Sequence, residues 1–389
     1  MDKQKMKEAA CRKVDELQSL IYEIADYIHA HPELGGSEYL ASSYLRKVLG
    51  DAGFTVEDVV PEAFPTAFHA SWGDGPFYMG FLAEYDALPE IGHGCGHNLI
   101  AAMSVGAALA FAAVCGAGAT VHVYGCPAEE TEGSKVYMSD QGVFDELDAA
   151  VILHPCADTT SIGGTSYASH PMEFTFLGKA AHIADREYEG INALDALVDF
   201  YRQLKDLEQT WTETHLIGAI ITDGGIAPNI VPDKAVMRAT IRALDAQYLE
   251  TVMLPQIREL AQAVAQAHGA EVAMVHYEPL YKNMIQDAKM NVYFAEAFNA
   301  LHEPFDVKDD DYADGSSDVG NVSQVTRACQ PEICICYDAA AHTEKFAAAA
   351  GGELGKMQAL VGAKAMAMVA VEVMNEKMAK NSCCEFFSL

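Results

Sequence analysis

The chain has 389 residues, more than one ordinary domain holds, and therefore predicts two domains or one large domain with an insertion. Half of the residues are hydrophobic and 9% are aromatic, which excludes a disordered chain. The 25 basic and 56 acidic side chains give a formal net charge of −31, which disfavours nucleic acid and anionic membranes as partners. We expect the negative charge to serve solubility.

The start of the chain and its cysteines predict a cytoplasmic location. Residues 1–18 are polar and amphipathic and lack the apolar core of a signal peptide. The ten cysteines are scattered without paired zinc-ribbon spacing, so we expect reduced thiols. The most apolar stretch, Leu99–Val114, is interrupted by glycine, and we expect it to be too short to span a bilayer.

The first half of the chain predicts helices and then an alternation of strands and helices. Ile21, Ile24 and Ile28 recur at helical spacing until Pro32, and a second helix is expected over 38–49. The elements that follow are strands at 55–60, 67–72, 77–84, 120–125 and 149–153, and helices from about 99 and over 135–141. This order predicts an α/β sheet with helices on both faces.

The pattern changes near Ser169. The next elements are strands at 171–177, 216–222, 235–242 and 271–277, with helices at 192–207 and 248–268. This is a split βαβ, ferredoxin-like α+β pattern, and it predicts an inserted domain over 169–281. Residues 1–168 and 282–389 then form the surrounding domain, with helices over 284–301 and 345–378 and a short strand over 331–337. Glycines at 351 and 352 predict an interruption in the last helix.

Side chains that bind metals or transfer protons fall at the ends of predicted strands. Glu129 and Glu130 follow the strand 120–125, and His154 follows 149–153. The strand 77–84 leads to Asp86 and a glycine-rich loop, and Asp318 and His342 flank the strand 331–337. Ligands bind at the carboxyl ends of strands in open α/β sheets, so we expect these groups at one edge.

The glycine-rich loop GHGCGHN holds His93, Cys95 and His97 and is too rich in glycine for a helix. Alternate residues of an extended loop can face one ion, and imidazole with thiolate suits zinc or another transition metal. A structural turn with one buried cysteine is the alternative. In the Glu129–Glu130 pair, extended backbone would direct one carboxylate to a metal and the other to substrate. Two exposed glutamates are the commoner explanation of such a pair taken alone, but the apolar strand just before it favours a place at the sheet edge.

Nine segments, taken together and in order, resemble the family of dinuclear metallopeptidases and aminoacylases. They are HPELGGSE (31–38), AEYDALPEIGHGCGHN (83–98), PAEETEGSK (127–135), ILHP (152–155), GKAAHIA (178–184), NALDA (192–196), APNIVPDKA (227–235), SSDVGNVS (316–323) and AHTEKF (341–346). The chain is most similar to the amidohydrolase branch, which includes hippurate, indole-acetyl-amino-acid and p-aminobenzoyl-glutamate hydrolases. The resemblance implies a phosphorylase/hydrolase-like α/β catalytic domain with an inserted dimerisation or lid domain.

The resemblance also implies the metal centre. It assigns two divalent ions per subunit, manganese or zinc with cobalt as an alternative, to the ligands Cys95, His97, Glu130, His154 and His342. Glu129 falls at the position of the general base, and we expect Asp86 to orient a ligand without binding metal. Asn98 stands where many relatives have aspartate, a departure shared by members similar to p-aminobenzoyl-glutamate hydrolase.

For the inserted domain, the resemblance implies a homodimer in which His182 enters the partner's active site. Asn229 and Arg242 match residues that contact substrate, and the Arg242 guanidinium could bind a substrate carboxylate through two hydrogen bonds. A solvated salt-bridge partner is the alternative role for this arginine. The implied activity is metal-dependent hydrolysis of an amide in an N-acyl amino acid, p-aminobenzoyl-glutamate or a small dipeptide, with Glu129 as base and His182 stabilising the oxyanion.

Two other interpretations remain open from the sequence. A thiol hydrolase could use Cys95 with His93 or His97, but it would leave Glu129, Glu130 and the later histidines without a role. A catalytically silent binding protein could share the fold, although the intact set of ligands and base argues against it. Loss of activity with a chelator and recovery with metal would separate the thiol enzyme from the metalloenzyme.

Overall fold

The computed structural model describes residues 2–185 and 189–386, and for residues 381–386 it describes the backbone only. The α-helices of the described residues, numbered in chain order, are α1 Lys3–Glu16, α2 Gln18–Ala30, α3 Tyr39–Asp51, α4 His97–Cys115, α5 Ser134–Asp140, α6 Ala193–Glu208, α7 Ala246–Tyr248, α8 Leu254–Ala267, α9 Ala288–Leu301, α10 Val319–Ser323, α11 Glu344–Ala350 and α12 Glu353–Phe386. A 3₁₀ turn over Gly116–Gly118 follows α4, and a π-helical segment over Leu249–Met253 joins α7 to α8.

The strands of the described residues are β1 Thr55–Asp58, β2 Phe68–Trp72, β3 Phe77–Glu84, β4 Ala119–Cys126, β5 Ala149–Val151, β6 His154–Ala157, β7 Thr160–Thr165, β8 Ala168–Leu177, β9 His215–Asp223, β10 Lys234–Ala243, β11 Glu271–His276, β12 Phe305–Ala313, β13 Ala328–Cys329 and β14 Glu332–Cys336. They form a six-stranded sheet in the order β1-β2-β4-β3-β5-β13 and two four-stranded sheets, β11-β8-β10-β9 and β12-β7-β14-β6.

The chain divides into two compact units. The first unit comprises Met1–Thr165, Met284–Tyr312 and Asp318–Leu389, and the inserted unit comprises Ser166–Asn283 and Ala313–Ser317. The sequence predicted the boundaries 1–168, 169–281 and 282–389, and it did not anticipate that the five residues 313–317 join the inserted unit. Each unit has its own core of buried hydrophobic side chains.

In the first unit, the six-stranded sheet brings strand ends together at one edge. β3 pairs in parallel with β4 and with β5, and β5 pairs in parallel with β13. Parallel strands end on the same side of a sheet, so the residues after Glu84, Cys126 and Val151 emerge at one edge. β3 is buried at all but one position because helices cover both faces of the sheet.

The inserted unit is the predicted ferredoxin-like α+β fold. Its elements run β8-α6-β9-β10-α8-β11, and the strand order β11-β8-β10-β9 places the first and third strands in the centre. The Asn192 side chain accepts hydrogen bonds from the amides of Leu194 and Asp195, which fixes the start of α6. β9 lies at one edge of this sheet.

Several sequence-based expectations need correction. The strands β6, β7 and β12 and the helix α1 were not predicted, because short or strongly charged segments give little periodic signal. His154 follows the strand β5, as predicted, and is also the first residue of β6, which was not predicted. The predicted interruption of the last helix is present, since α11 ends at Ala350 and α12 begins at Glu353.

The length argument against a membrane span was wrong. Residues His97–Gly118 and Glu353–Lys380 are both long and apolar enough to cross a membrane by length and composition. However, 83% of the apolar window in the first and 72% in the second is buried inside the protein. A helix that is apolar on every side is typical of a large buried core as well as of a membrane, and here α4 and α12 belong to that core.

Candidate metal centre

Cys95 lies in the loop after β3, and His97 is the first residue of α4, so the expected glycine-rich loop ends at Gly96. Gly96 between them has a φ of 82°, and a Cβ atom on it would lie 2.9 Å from the Cγ of Pro155. Only glycine adopts this left-handed conformation at little cost, and no side chain fits there. The amide of His342 donates to the carbonyl of Gly94 at 2.8 Å, which joins the predicted ligand His342 to the same loop.

Asp86 orients two of the predicted ligands. Its Oδ1 lies 2.8 Å from Nδ1 of His97, and its Oδ2 accepts a hydrogen bond from the amide of Glu130 at 2.9 Å. A carboxylate that binds one imidazole nitrogen holds the other free for a metal. Nε2 of His97 is buried and has no hydrogen-bond partner in the protein. This contact is what the sequence predicted for Asp86.

Glu129 and Glu130 lie in a turn after β4, where Ala128 has a φ of 58°. The expectation that extended backbone separates the two carboxylates was therefore wrong. Both approach the same nitrogen, since Nε2 of His97 is 4.0 Å from Oε2 of Glu129 and 3.9 Å from Oε1 of Glu130. Glu130 also lies 3.3 Å from Nε2 of His342, so it stands between two histidines.

Glu38 fixes the turn that carries this glutamate pair, and the sequence analysis assigned it no role. Its buried carboxylate accepts hydrogen bonds from the amides of Ala128 at 2.8 Å and Gly36 at 2.9 Å, and from the hydroxyl of Thr66 at 2.9 Å. Burial raises the pKa of Glu38 to about 7. Its position in the segment HPELGGSE was the only available signal, because nothing local to residue 38 points to residue 128.

His154 lies beside Cys95, with its Nε2 3.5 Å from the cysteine Sγ. Its Nδ1 is 2.8 Å from the carbonyl oxygen of Pro155. A carbonyl oxygen only accepts, so Nδ1 carries the proton and Nε2 is left with a lone pair for a metal. His154 and Cys95 thus present their metal-binding atoms to each other.

The predicted ligands form overlapping groups whose binding atoms all lie within 4.8 Å of one another. The groups are Cys95 with His97 and His154, Cys95 with Glu130 and His342, and His97 with Glu129 and Glu130. Cys95 and His97 each belong to two of these groups, as expected where two ions share a site. The orphaned Nε2 of His97 and Oε1 of Glu130, both buried, are the observation that fits bound metal. Thiolate, imidazole and carboxylate together suit zinc and similar ions.

The two glutamates have opposite electrostatic environments. Burial raises the pKa of Glu129 well above its ordinary value, and the nearby charges of Glu84 and Asp318 raise it further. Burial also raises the pKa of Glu130, but the 3.3 Å contact with His342 and the charge of His97 outweigh it and lower the pKa to about 2. Glu130 therefore stays ionised, as a metal ligand must, whereas Glu129 holds a proton more readily.

His93 does not face this site. It is buried, its Nε2 lies 3.0 Å from the carbonyl oxygen of Ile28, and it belongs to none of the metal-ligand groups among the described residues. Cys95 and His97 thus lie in one candidate group, whereas the expectation that alternate residues of the loop face one ion fails for His93. The loop turns at Gly94 and Gly96 instead of running straight.

The predicted substrate-binding residues lie in the inserted unit. His182 is exposed and forms an isolated β-bridge with Ile230, and the amide of Ile183 donates to the carbonyl of Asn229 at 3.1 Å. These contacts place the His182 and Asn229 segments side by side. Arg242 lies on β10, paired with Ser169 of β8 and Leu216 of β9. Within the inserted unit, the roles of these three residues stay predictions.

The fold and the clustered ligands define a metal-dependent hydrolase, and comparison with known proteins supports this class. The model of a peptidase dimerisation domain matches residues 168–270. The chain is 33% identical over 384 residues to an Xaa-Arg dipeptidase of Mus musculus, covering 95% of this chain and 89% of the relative. It is 37% identical over 242 residues to one of the p-aminobenzoyl-glutamate hydrolase chains of Escherichia coli, covering 57% of this chain and 50% of that relative.

A solved structure gives the same result for the fold. A dinuclear metal-binding peptidase of the M20 family from Bacillus subtilis superposes with a TM-score of 0.71 at 19% identity, covering 93% of this chain and 99% of that one. The chain belongs to the M20 family of metallopeptidases. It is therefore a metal-dependent amide hydrolase with a dimerisation domain.

Proposed function

We propose that this protein hydrolyses the amide bond of a dipeptide or an N-acyl amino acid at a centre of two divalent ions held by Cys95, His97, Glu130, His154 and His342. The observation that carries the proposal is that the binding atoms of these ligands, together with Glu129, form overlapping groups, and that the atoms within each group lie within 4.8 Å of one another. When bound, the two ions acidify a water molecule and polarise the substrate carbonyl.

Glu129 acts as the general base and then the general acid. Its Oε2 is 4.0 Å from Nε2 of His97, so its carboxylate lies at the same centre without standing between two histidines as Glu130 does. It takes the proton of the attacking water and passes that proton to the departing amine. A carboxyl group with a raised pKa suits the transfer, because it holds the proton taken from water more readily than an ordinary glutamate does.

The thiol-hydrolase interpretation is less well supported. Burial raises the pKa of the Cys95 thiol, and a nucleophilic cysteine needs a lowered pKa. The sulfur also faces His154, Glu130 and His342 in the two groups that fit a metal. The intact set of candidate ligands with Glu129 argues against a silent binding protein, and turnover of any substrate below would exclude it.

The first substrate candidate is a dipeptide with a basic carboxyl-terminal residue. The Xaa-Arg dipeptidase matches along almost the whole chain, whereas the p-aminobenzoyl-glutamate hydrolase matches along 57% of it. The net charge of −31 also attracts cationic substrates and repels an anion such as p-aminobenzoyl-glutamate. p-Aminobenzoyl-glutamate and hippurate-like N-acyl amino acids are the second and third candidates.

We infer a homodimer formed through the inserted unit, in the cytoplasm. The edge strand β9 exposes Leu216, Ile220 and Ile221 at 50%, 64% and 44% of their surface, and an exposed edge of this kind favours pairing with a second copy. In the dimer, His182 would complete the partner's site and stabilise the oxyanion. Light scattering on the purified protein, with Ile220→Glu as the variant that should dissociate, tests the assembly.

The decisive experiment is a substrate panel on metal-reconstituted protein. Protein stripped with a chelator is reloaded with zinc, manganese or cobalt, and release of free amine is measured from Xaa-Arg and Xaa-Lys dipeptides, aminobenzoyl-glutamate and hippurate. We expect turnover of at least one substrate only with metal, and none with Glu129→Gln. Turnover that survives chelation but not Cys95→Ala would establish the thiol enzyme instead.

A further inference from the structure

Next to the predicted metal ligands lies a chain of three buried charges, Glu84, Lys135 and Asp318. The Nζ of Lys135 is 2.7 Å from Oε1 of Glu84 and 2.6 Å from Oδ1 of Asp318, and all three side chains are at most 1% exposed. Asp318 also accepts a hydrogen bond from the amide of Lys135 at 2.9 Å through its Oδ2. Asp318 thus contacts Lys135 at its ammonium and at its backbone amide, whereas Glu84 contacts the ammonium alone.

Protein stability does not account for this arrangement. Transfer of three charges from water to a protein interior costs about as much as, or more than, their mutual attraction returns, and apolar residues of similar volume often serve equally well. Burial lowers the pKa of Lys135, but Asp318 and Glu84 outweigh it and raise the pKa well above its ordinary value, so the ammonium is charged. We therefore expect these three buried charges to serve the neighbouring metal centre.

Glu84 belongs to none of the three groups above, but it directs its second oxygen to Nε2 of His97, the nitrogen left for a metal in the proposed centre. Oε2 of Glu84 lies 3.5 Å from Nε2 of His97, closer than the oxygens of Glu129 or Glu130 at 4.0 and 3.9 Å. Both Oε2 of Glu84 and Nε2 of His97 are buried atoms without a hydrogen-bond partner in the protein. Two donors of one zinc ion, each at about 2.0–2.2 Å from it, lie roughly 3.3–3.5 Å apart in tetrahedral geometry.

We propose that Glu84 is an additional metal-binding residue of this centre, and that Lys135 is a positioning residue that holds the Glu84 carboxylate beside His97. Glu84 is the last residue of β3, opposite Cys126 of β4, so the sheet fixes its backbone while the lysine fixes one oxygen. The other oxygen is left for the ion that His97 binds. The proposal rests on the metal centre assigned above.

The test compares two substitutions that each remove one carboxylate from the same lysine. Glu84→Gln and Asp318→Asn both leave Lys135 with a single anionic partner, but only Glu84 faces His97. Metal-stripped wild type and variants are titrated with zinc in competition with a chromophoric chelator. We expect Glu84→Gln to weaken the binding of one of two ions by about 10–100-fold, and Asp318→Asn to weaken it by less than about threefold.

Equal losses in the two variants, or unchanged affinity in Glu84→Gln, would overturn the role of Glu84 as a metal-binding residue. Thermal unfolding of the metal-free proteins shows whether each variant folds. If Glu84→Gln does not fold, Glu84→Asp replaces it, because it keeps the charge and withdraws the oxygen by one methylene. The same weakened binding of one ion is then expected, and wild-type affinity would contradict the proposal.

His154→Ala distinguishes this inference from the metal centre itself. If wild type binds two ions and His154→Ala loses one, the centre stands, and Glu84 is judged by its own variants. If His154→Ala retains both ions at wild-type affinity, the assigned centre is wrong and the role of Glu84 falls with it.

Discussion

In the first unit the predicted functional side chains are buried or half-buried except for His342, whereas in the inserted unit His182 and Asn229 are exposed and Arg242 is half-buried. His97 and Asp86 are almost wholly inaccessible and hold each other in place, while His182 and Asn229 lie in exposed segments joined by backbone contacts. The first unit orients its metal ligands through its own hydrogen bonds. The exposed residues of the inserted unit would act at the active site of a second copy of the chain.

The largest expected effect separates the two glutamates of the first unit. Glu129→Gln should lower kcat about 10²–10⁴-fold, because no other group takes the proton from water, and it should leave metal content at the wild-type value. Glu130→Gln should instead lose bound metal. Both are measured by elemental analysis of the purified variants alongside amine release. The reverse result, with metal lost only from Glu129→Gln, would exchange the two assignments.

A second change tests how far the first unit depends on its own buried charges. Lys135→Met leaves Glu84 and Asp318 without their cation and should destabilise the metal-free protein by about 3–5 kcal/mol in urea unfolding. Lys356→Met is the matched control, since that lysine pairs with Asp26 and Glu353 near the surface and its loss should cost about 1 kcal/mol or less. Similar losses in both variants would mean that burial of the ion pair is not what matters.

For the inserted unit we predict the opposite: a substitution should lower the activity and leave metal binding unchanged. His182→Ala should lower kcat about 10²–10³-fold, as expected for loss of an oxyanion donor, while metal content and unfolding stay at wild-type values. Loss of metal in this variant would contradict the proposed role of His182 as an oxyanion donor.

Mixing two inactive variants shows whether His182 acts across the dimer. A hybrid of His182→Ala with Glu129→Gln has one site with both residues intact, so random mixing should restore about a quarter of wild-type activity. Activity that stays at the level of the separate variants after the chains have exchanged would mean that the histidine acts within its own chain.

The smallest expected effect concerns substrate binding by β10. Arg242→Ala should raise KM about tenfold for substrates with a free carboxylate and leave kcat nearly unchanged, as loss of one charged hydrogen bond predicts. Arg238→Ala is the matched control on the same strand, because Arg238 forms a salt bridge with Glu173 at 2.8 Å. An equal rise in KM in both variants would mean that Arg242 acts only through the charge of the surface and does not bind the substrate carboxylate.

The sequence was most informative where function is carried by short segments in a fixed order. Cys95, His97, Glu130, His154 and His342 were chosen as ligands because each follows or flanks a predicted strand and each falls in a segment resembling the family. The structure places their binding atoms in groups within 4.8 Å. It also shows the contact by which Asp86 orients His97. Strand ends converge in a parallel sheet, so periodicity predicts that such segments meet, whereas the choice of these five ligands rests on the resemblance to the family.

The sequence was least informative about side chains that meet across long separations. His93 and His97 look equivalent in the motif GHGCGHN. In the structure, the left-handed conformation of Gly96 and the contact of His93 with the carbonyl of Ile28 place the two side chains apart. Glu38 holds Ala128, and Lys135 holds Asp318, across 90 and 183 residues of chain. No local pattern specifies such pairs, because each depends on where two distant elements come to lie.

The amino-acid sequence by itself determined the family, the two-part organisation, the inserted βαββαβ unit and the identity of the candidate ligands, because these depend on local periodicity and on the order of short motifs. The tertiary structure decided which of the loop histidines faces the centre, that both glutamates approach His97, and that Glu84 is held there by a buried lysine. Those outcomes depend on the burial of charge. A buried carboxylate or ammonium must find a partner wherever the fold places it, and only the folded chain defines which residues those partners are.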